Sequence, residues 1–284
     1  MTGLLIVSAD DLGLTDGVCR AVLRGHQDGV VTSTSLLAVG RSFGVAVRML
    51  LDHPTLDVGA HLAIVGEDPP VLTAREIPTL VDRRGAFPLS YRNVVLRGAT
   101  GRLDPADVRR EFDAQLQRIR SAGLAVSHLD THQHTHLWPT VAGVLVDLAR
   151  INDIAAVRTP RSHRILPVGF GVNALSARLR KRVATGGLAT TDGYAGLDEA
   201  GSFDQDHFSA SITAVGATGS SLIRTVEVNA HPGEPGDPEL RRFGWGYRWA
   251  DELAMLCSAD TRALIQRLGY RLGSFRDLTP ARPR

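Results

Sequence analysis

Leu4-Leu5-Ile6-Val7-Ser8-Ala9-Asp10-Asp11 runs from four apolar residues through two small ones into a pair of carboxylates. A short apolar run bounded by polar residues reads as a strand buried on both faces. Residues 16–28 are amphipathic, and the order then repeats, with a strand at 30–38, a helix at 42–52 and a strand at 57–64. Alternation of this kind implies a mainly parallel sheet wrapped by helices. The rhythm resumes with a charged helix at 104–122, a fourth strand at 125–130 and a helix at 141–150. Further strands are expected at 155–158, 187–190, 225–230 and 270–273, and helices near 172–183, 204–215 and 249–268. Up to eight such pairs predict a distorted (β/α) barrel, TIM-barrel-like, formed by one domain over residues 1–278. Residues 67–103, punctuated by Pro and Gly, break the rhythm as a long insertion after the third strand and read as a lid or substrate-binding loop. Residues 279–284 are expected to be a disordered tail.

The chain of 284 residues suits a single large α/β domain. Thirty-two basic and thirty acidic residues leave a formal charge of +2, with no basic face to recruit nucleic acid. Cys19 and Cys257 are the only cysteines, too few for a disulfide framework and too far apart for a thiolate zinc site. The apolar run at 4–7 is shorter than a signal-peptide core, and no segment approaches the roughly 20 apolar residues of a membrane span. A soluble, cytoplasmic protein with neither nucleic-acid nor membrane partners is therefore expected.

In parallel α/β folds the open site lies beyond the C-terminal ends of the strands. Asp10 and Asp11 close the first strand, His61 lies near the end of the third, and Ser127-His128-Leu129-Asp130-Thr131-His132-Gln133-His134-Thr135-His136 closes the fourth. Carboxylate and imidazole together suit a divalent ion left partly open to water and substrate. Successive strand side chains point to different sides. One aspartate can thus bind the ion while the other takes a proton from water, although either could simply cap the following turn. A lone histidine such as His61 is more often a core residue, but four histidines in nine residues are costly to bury without partners. His132, nearest the open rim, is the preferred second imidazole, and Asp130 is placed to orient one. His128, His134 and His136 remain candidates for binding or for structural hydrogen bonds. His231, in Val228-Asn229-Ala230-His231-Pro232-Gly233, is delivered into a turn where it could protonate a leaving amine, or could merely pack beneath that turn. Arg158 and Arg161 could hold polar substrate groups, and Trp138, Trp245 and Tyr247 could stack on sugars or serve as ordinary packing.

Together, Ala9-Asp10-Asp11-Leu12-Gly13, Gly59-Ala60-His61-Leu62, the histidine-rich segment and Ala230-His231-Pro232-Gly233 resemble the motifs of the YdjC-like carbohydrate deacetylases, which include chito-oligosaccharide deacetylases. Leu12 departs from the Phe that often follows the paired aspartates there. The resemblance implies a distorted barrel that removes N-acetyl groups from amino sugars, oligosaccharides or glycoconjugates. It further implies Asp11, His61 and His132 as metal ligands, Asp10 as general base and His231 as general acid. Substrate contacts are expected at Arg158, His128, Asp130 and Trp138. Two imidazoles and a carboxylate favour Zn2+ on ligand chemistry, whereas Mg2+ is often assigned in that family. The family also tends to form dimers, so a homodimer is implied. The competing readings are hydrolysis of another acylated natural-product intermediate and a catalytically silent sugar-binding protein.

Overall fold

An apolar run with no polar alternation must be covered on both faces, and that is how the first strand is found, with every residue from Leu4 to Leu12 buried. The computed structural model describes residues 3–217 and 224–279. Its first half contains β1 (Gly3–Leu12), α1 (Asp16–Gln27), β2 (Ser33–Leu36), α2 (Phe43–Asp52), β3 (Asp57–Leu62), α3 (Tyr91–Ala99), α4 (Pro105–Ser121) and β4 (His128–Thr131). There follow α5 (Pro139–Ile151), β5 (Ala156–Val157), α6 (Pro167–Thr185), β6 (Gly193–Ala195), α7 (Gln205–Ala217), β7 (Thr225–Ala230), α8 (Trp249–Leu256), α9 (Ala259–Arg267) and β8 (Tyr270–Gly273).

The strands are paired in parallel in the order β5-β4-β3-β2-β1-β7-β6. One edge of β1 carries β7 along Leu4–Ala9, and the other is shared by β8 at Gly3–Ile6 and β2 from Ser8 onward. Ala156 of β5 also forms an isolated parallel bridge with Ala189, in the segment that leads into β6. The result is the expected distorted α/β barrel, with the C-terminal ends of the strands gathered at one rim.

Three local expectations are corrected. The strand expected at 187–190 is reduced to the Ala189 bridge, since the backbone turns at Gly187 (φ 72°), and the segment pairing with β7 is Gly193–Ala195. The helix expected at 249–268 breaks into α8 and α9, because Ser258 is extended and its hydroxyl accepts from Asp260 N, starting a new helix. The insertion contains a helix, α3, announced by Ser90, whose hydroxyl accepts from Arg92 N. Of the tail, residues 280–284 lie outside the described residues.

The insertion holds its shape without a sheet because α4 supplies partners for its backbone. Asp107, Glu111 and Gln115, four residues apart on one face, are all buried. Asp107 accepts from Thr79 N, Glu111 accepts from Val71 N and Leu72 N, and Gln115 pairs with both polar groups of Ala63. Backbone groups that would otherwise be buried unpaired are thus satisfied, and the loop is fixed against the barrel.

Candidate metal centre

The site begins with an irregularity at the end of β1. Pairing with β2 slips between Ala9 and Leu12, and Asp11 sits in the left-handed region at φ 62°. That conformation is unfavourable for a residue with a side chain and persists only where surrounding contacts impose it. Here it sends Asp10 and Asp11 to different neighbours. Strand alternation alone was the expected cause; the bulge is what re-aims the two carboxylates.

Asp11 turns towards two imidazoles. Its Oδ1 lies 3.4 Å from His61 Nε2 and 3.0 Å from His132 Nδ1, and those nitrogens are 3.4 Å apart. Each of the three residues is buried, yet Asp11 Oδ1 has no partner in hydrogen-bond geometry. Three lone-pair atoms converging on one point suit a divalent cation better than a shared proton. The opposite face of His61 is fixed, with Nδ1 donating to Asp130 Oδ1 at 2.7 Å, so Nε2 is the nitrogen presented to the common point.

Beneath this cluster lies Arg158, at the end of β5 and fully buried. Its Nη1 and Nη2 grip both oxygens of Asp10 at 2.6 and 2.8 Å, and Nη1 also reaches Asp130 Oδ2 at 2.5 Å. Nε donates to Glu227 Oε1 at 2.6 Å and Nη2 to Ser8 Oγ at 3.0 Å. Ser35 Oγ completes the shell by donating to Asp130 Oδ2 at 2.7 Å. Such a planar fork uses a geometry that an ammonium group cannot supply.

Charge accounts for the titration of these groups. Burial opposes ionisation of Asp11, but the neighbouring His132 and His61 rings outweigh it and hold the carboxyl well below its usual range. For Asp130, Arg158 and then His61 overcome burial in the same direction. Burial would lower the His61 imidazole, yet Asp130 and Asp10 push it up to about 10. Glu227 goes the other way, raised by burial to about 7 even beside Arg158. Asp10, Asp11 and Asp130 thus give the cluster more carboxylates than the Arg158 guanidinium pairs, a surplus of acidic groups that a cation at the common point would offset. Ligand atoms of Asp10, His61 and Asp130 also lie within 4.8 Å of one another. There, however, the Arg158 guanidinium already bridges the two carboxylates and repels a second cation.

Above the cluster opens a cavity of about 670 Å³, with Asp10, Asp11, His61, His132 and His231 at one end. His231 follows β7 with Nδ1 3.8 Å from Glu252 Oε2, and that buried carboxylate accepts from the backbone N–H groups of His231 and Gly201. Trp138, Trp245 and Tyr247 line the walls, and the insertion contributes Tyr91 and Val94.

Other expected contacts lie elsewhere. Arg158, His128 and Asp130 were expected to touch substrate; the structure corrects this, since all three are buried beneath the cavity and satisfied by protein partners. His128 stacks on Phe275 at 3.6 Å between centroids, and burial lowers its imidazole to about 4. Gly59 is required there, because a Cβ at that position would come within 2.3 Å of the His128 ring. His136 is held between Thr131 Oγ1 and the Arg158 carbonyl. Arg161 is exposed and does not line the cavity. Sequence reasoning missed Glu227, Ser35 and Glu252. For Glu227 a signal existed: a glutamate between Val226 and Val228 in an otherwise apolar strand needs a buried partner.

Residues 4–267 match the family model described as YdjC-like protein. A carbohydrate deacetylase of Geobacillus stearothermophilus is 31% identical over 274 residues, covering 96% of this chain and 96% of its own. Another, from Brevibacillus brevis, is 28% identical over 283 residues, covering 96% and 99%. A crystal structure from Enterococcus faecalis V583, named for cellobiose-phosphate cleavage, shares the fold with a TM-score of 0.80 at 23% identity, covering 97% of this chain and 98% of its own.

Proposed function

Since the chain belongs to the YdjC-like protein family, we propose that it is a metal-dependent hydrolase that removes the N-acetyl group of an amino sugar or its conjugate and releases acetate. The observation that carries this reading is the meeting of Asp11, His61 and His132 around one point, in a cavity that also receives Asp10 and His231. Asp11 Oδ1, His61 Nε2 and His132 Nδ1 are the atoms that would hold the ion, and two imidazoles beside one carboxylate favour zinc over magnesium. When bound, a divalent cation supplies Lewis acidity towards the amide carbonyl and acidifies water.

The side chains divide the remaining work. Asp10, held at both oxygens by Arg158, accepts a proton as water adds to the acetamide carbon. The fork prevents the carboxylate from rotating away and fixes where that proton is taken. His231 delivers a proton to the nitrogen as the C–N bond breaks, from a ring whose Nδ1 lies 3.8 Å from Glu252 Oε2. Trp245 and Tyr247 offer faces to the sugar, and Trp245 is itself fixed by donating to Glu67 at 3.0 Å.

The test joins acetate release to metal analysis. Protein purified without added ions should carry one zinc, and His61→Ala and His132→Ala should lose both metal and turnover. Asp10→Asn should keep the metal and lose turnover. Full activity in either histidine variant rules out the assigned site; sugar binding without turnover, unaffected by Asp10→Asn, would favour the silent binding protein instead.

A further inference from the structure

The cavity is too one-sided for a purely polar ligand. Its metal end offers carboxylates, imidazoles and the unpartnered His134 Nδ1 and Thr135 Oγ1. The far wall, between the insertion and α6, is formed by Leu89, Val95, Leu137, Leu166, Val168 and Leu175. Three of these are strongly exposed, Leu89 at 62%, Leu166 at 58% and Val168 at 73%, and Ile165 and Phe170, their neighbours in the chain, are exposed as well. Single exposed apolar residues are ordinary, but a contiguous patch running into a cavity marks a binding surface.

Several polar groups on that side are already engaged. Gln133 uses its oxygen on Tyr91 N and its amide on the Leu89 carbonyl. Ser162 donates to Asp198, and Arg164 donates to the Asp198 carbonyl. Further sugar hydroxyls placed against these six apolar side chains would lose water without a hydrogen-bond partner from them. A hydrocarbon chain would gain.

Resting on the hydrolase reading above, we propose that the substrate is an amphiphile: an acetamido sugar at the metal end whose anomeric substituent is an apolar chain lying along the wall between Leu89 and α6. The occupant is identified by continuity, since the apolar wall and the candidate metal centre belong to the same cavity. A second protein copy or a lipid surface would cover the exposed residues without needing the wall within.

The test uses methyl, butyl and octyl glycosides of N-acetylglucosamine, below their micelle concentrations, with the zinc-loaded protein. Each fully buried methylene is worth up to about fourfold. The octyl glycoside should therefore exceed the methyl glycoside in kcat/KM by at least about thirtyfold, equivalent to burying two to three methylenes. Calorimetry should show tighter octyl binding with a negative heat-capacity change. In the double variant Leu166→Ser, Val168→Ser, both strongly exposed, the octyl-to-methyl ratio should fall towards one. Turnover of all three glycosides with a ratio within threefold overturns the apolar-chain assignment and leaves the hydrolase reading standing. Tight, chain-length-dependent binding without any acetate release does the reverse. Dimerisation or vesicle binding abolished by the double variant, with no chain-length dependence, assigns these exposed residues to another occupant and overturns the proposal.

Discussion

Glu227→Gln should stabilise the metal-free protein at pH 8 and do little near pH 4.5. Glu227 is fully buried; Oε1 accepts from Arg158 Nε and Oε2 has no partner. Burial raises its carboxyl from 4.5 to about 7. Between those values the folded chain binds a proton that the unfolded chain has released, so stability falls as pH rises through this window. Above it, holding the ionised group inside costs about 3 kcal/mol, and below it both states are protonated and the cost vanishes. Glutamine keeps an oxygen for Arg158 Nε and removes the charge, and Arg158 retains Asp10 and Asp130 as counter-charges. With roughly 2 to 4 °C per kcal/mol for a domain of this size, the variant should melt about 6 to 12 °C above the parent at pH 8. The assay is a pair of calorimetric melts on chelated protein, at pH 8 and pH 4.5, for parent and variant. A difference that is equal at both pH values, or a lower Tm for the variant at pH 8, would refute the argument.

Arg158→Lys keeps the charge and loses the fork, so at least two charge-assisted hydrogen bonds go; a loss of about 3 kcal/mol or more is expected in denaturant melts, with a fall in kcat at retained zinc. Gly59→Ala forces a Cβ into the His128 ring, and about 2 kcal/mol of destabilisation should accompany weaker zinc retention, since His61 lies two residues further along the same strand. Zinc at about 100 times its Kd should add about 2.7 kcal/mol to the stability of the parent, visible as a concentration-dependent Tm, and nothing to Asp11→Ala.

The long periodic segments were legible because their burial pattern is written locally. Thr225–Ala230 and Tyr270–Gly273 form where the apolar runs place them, and α1 starts where Thr15 can accept from Val18 N. The insertion was opaque because its order comes from Asp107, Glu111 and Gln115 on α4, whose charged face reads in sequence as a solvated one. The break at Ser258 was overlooked because one capping hydroxyl competes with a continuous helical pattern. Arg158 was misplaced for a related reason: an arginine after a strand reads as a surface contact until its carboxylate partners are known to be buried with it.

By itself the sequence determined which chemistries were available, since residue type fixes charge and ligand softness, and it determined that strand ends would carry them, since apolar runs end where the carboxylates and imidazoles begin. Only the tertiary structure decided which groups face the cavity and which lie under it. That division depends on a bulge at Asp11 and on an arginine 148 residues distant from Asp10 in the chain. Neither leaves a periodic trace, because contacts between remote segments are fixed by packing and charge compensation and not by spacing along the backbone.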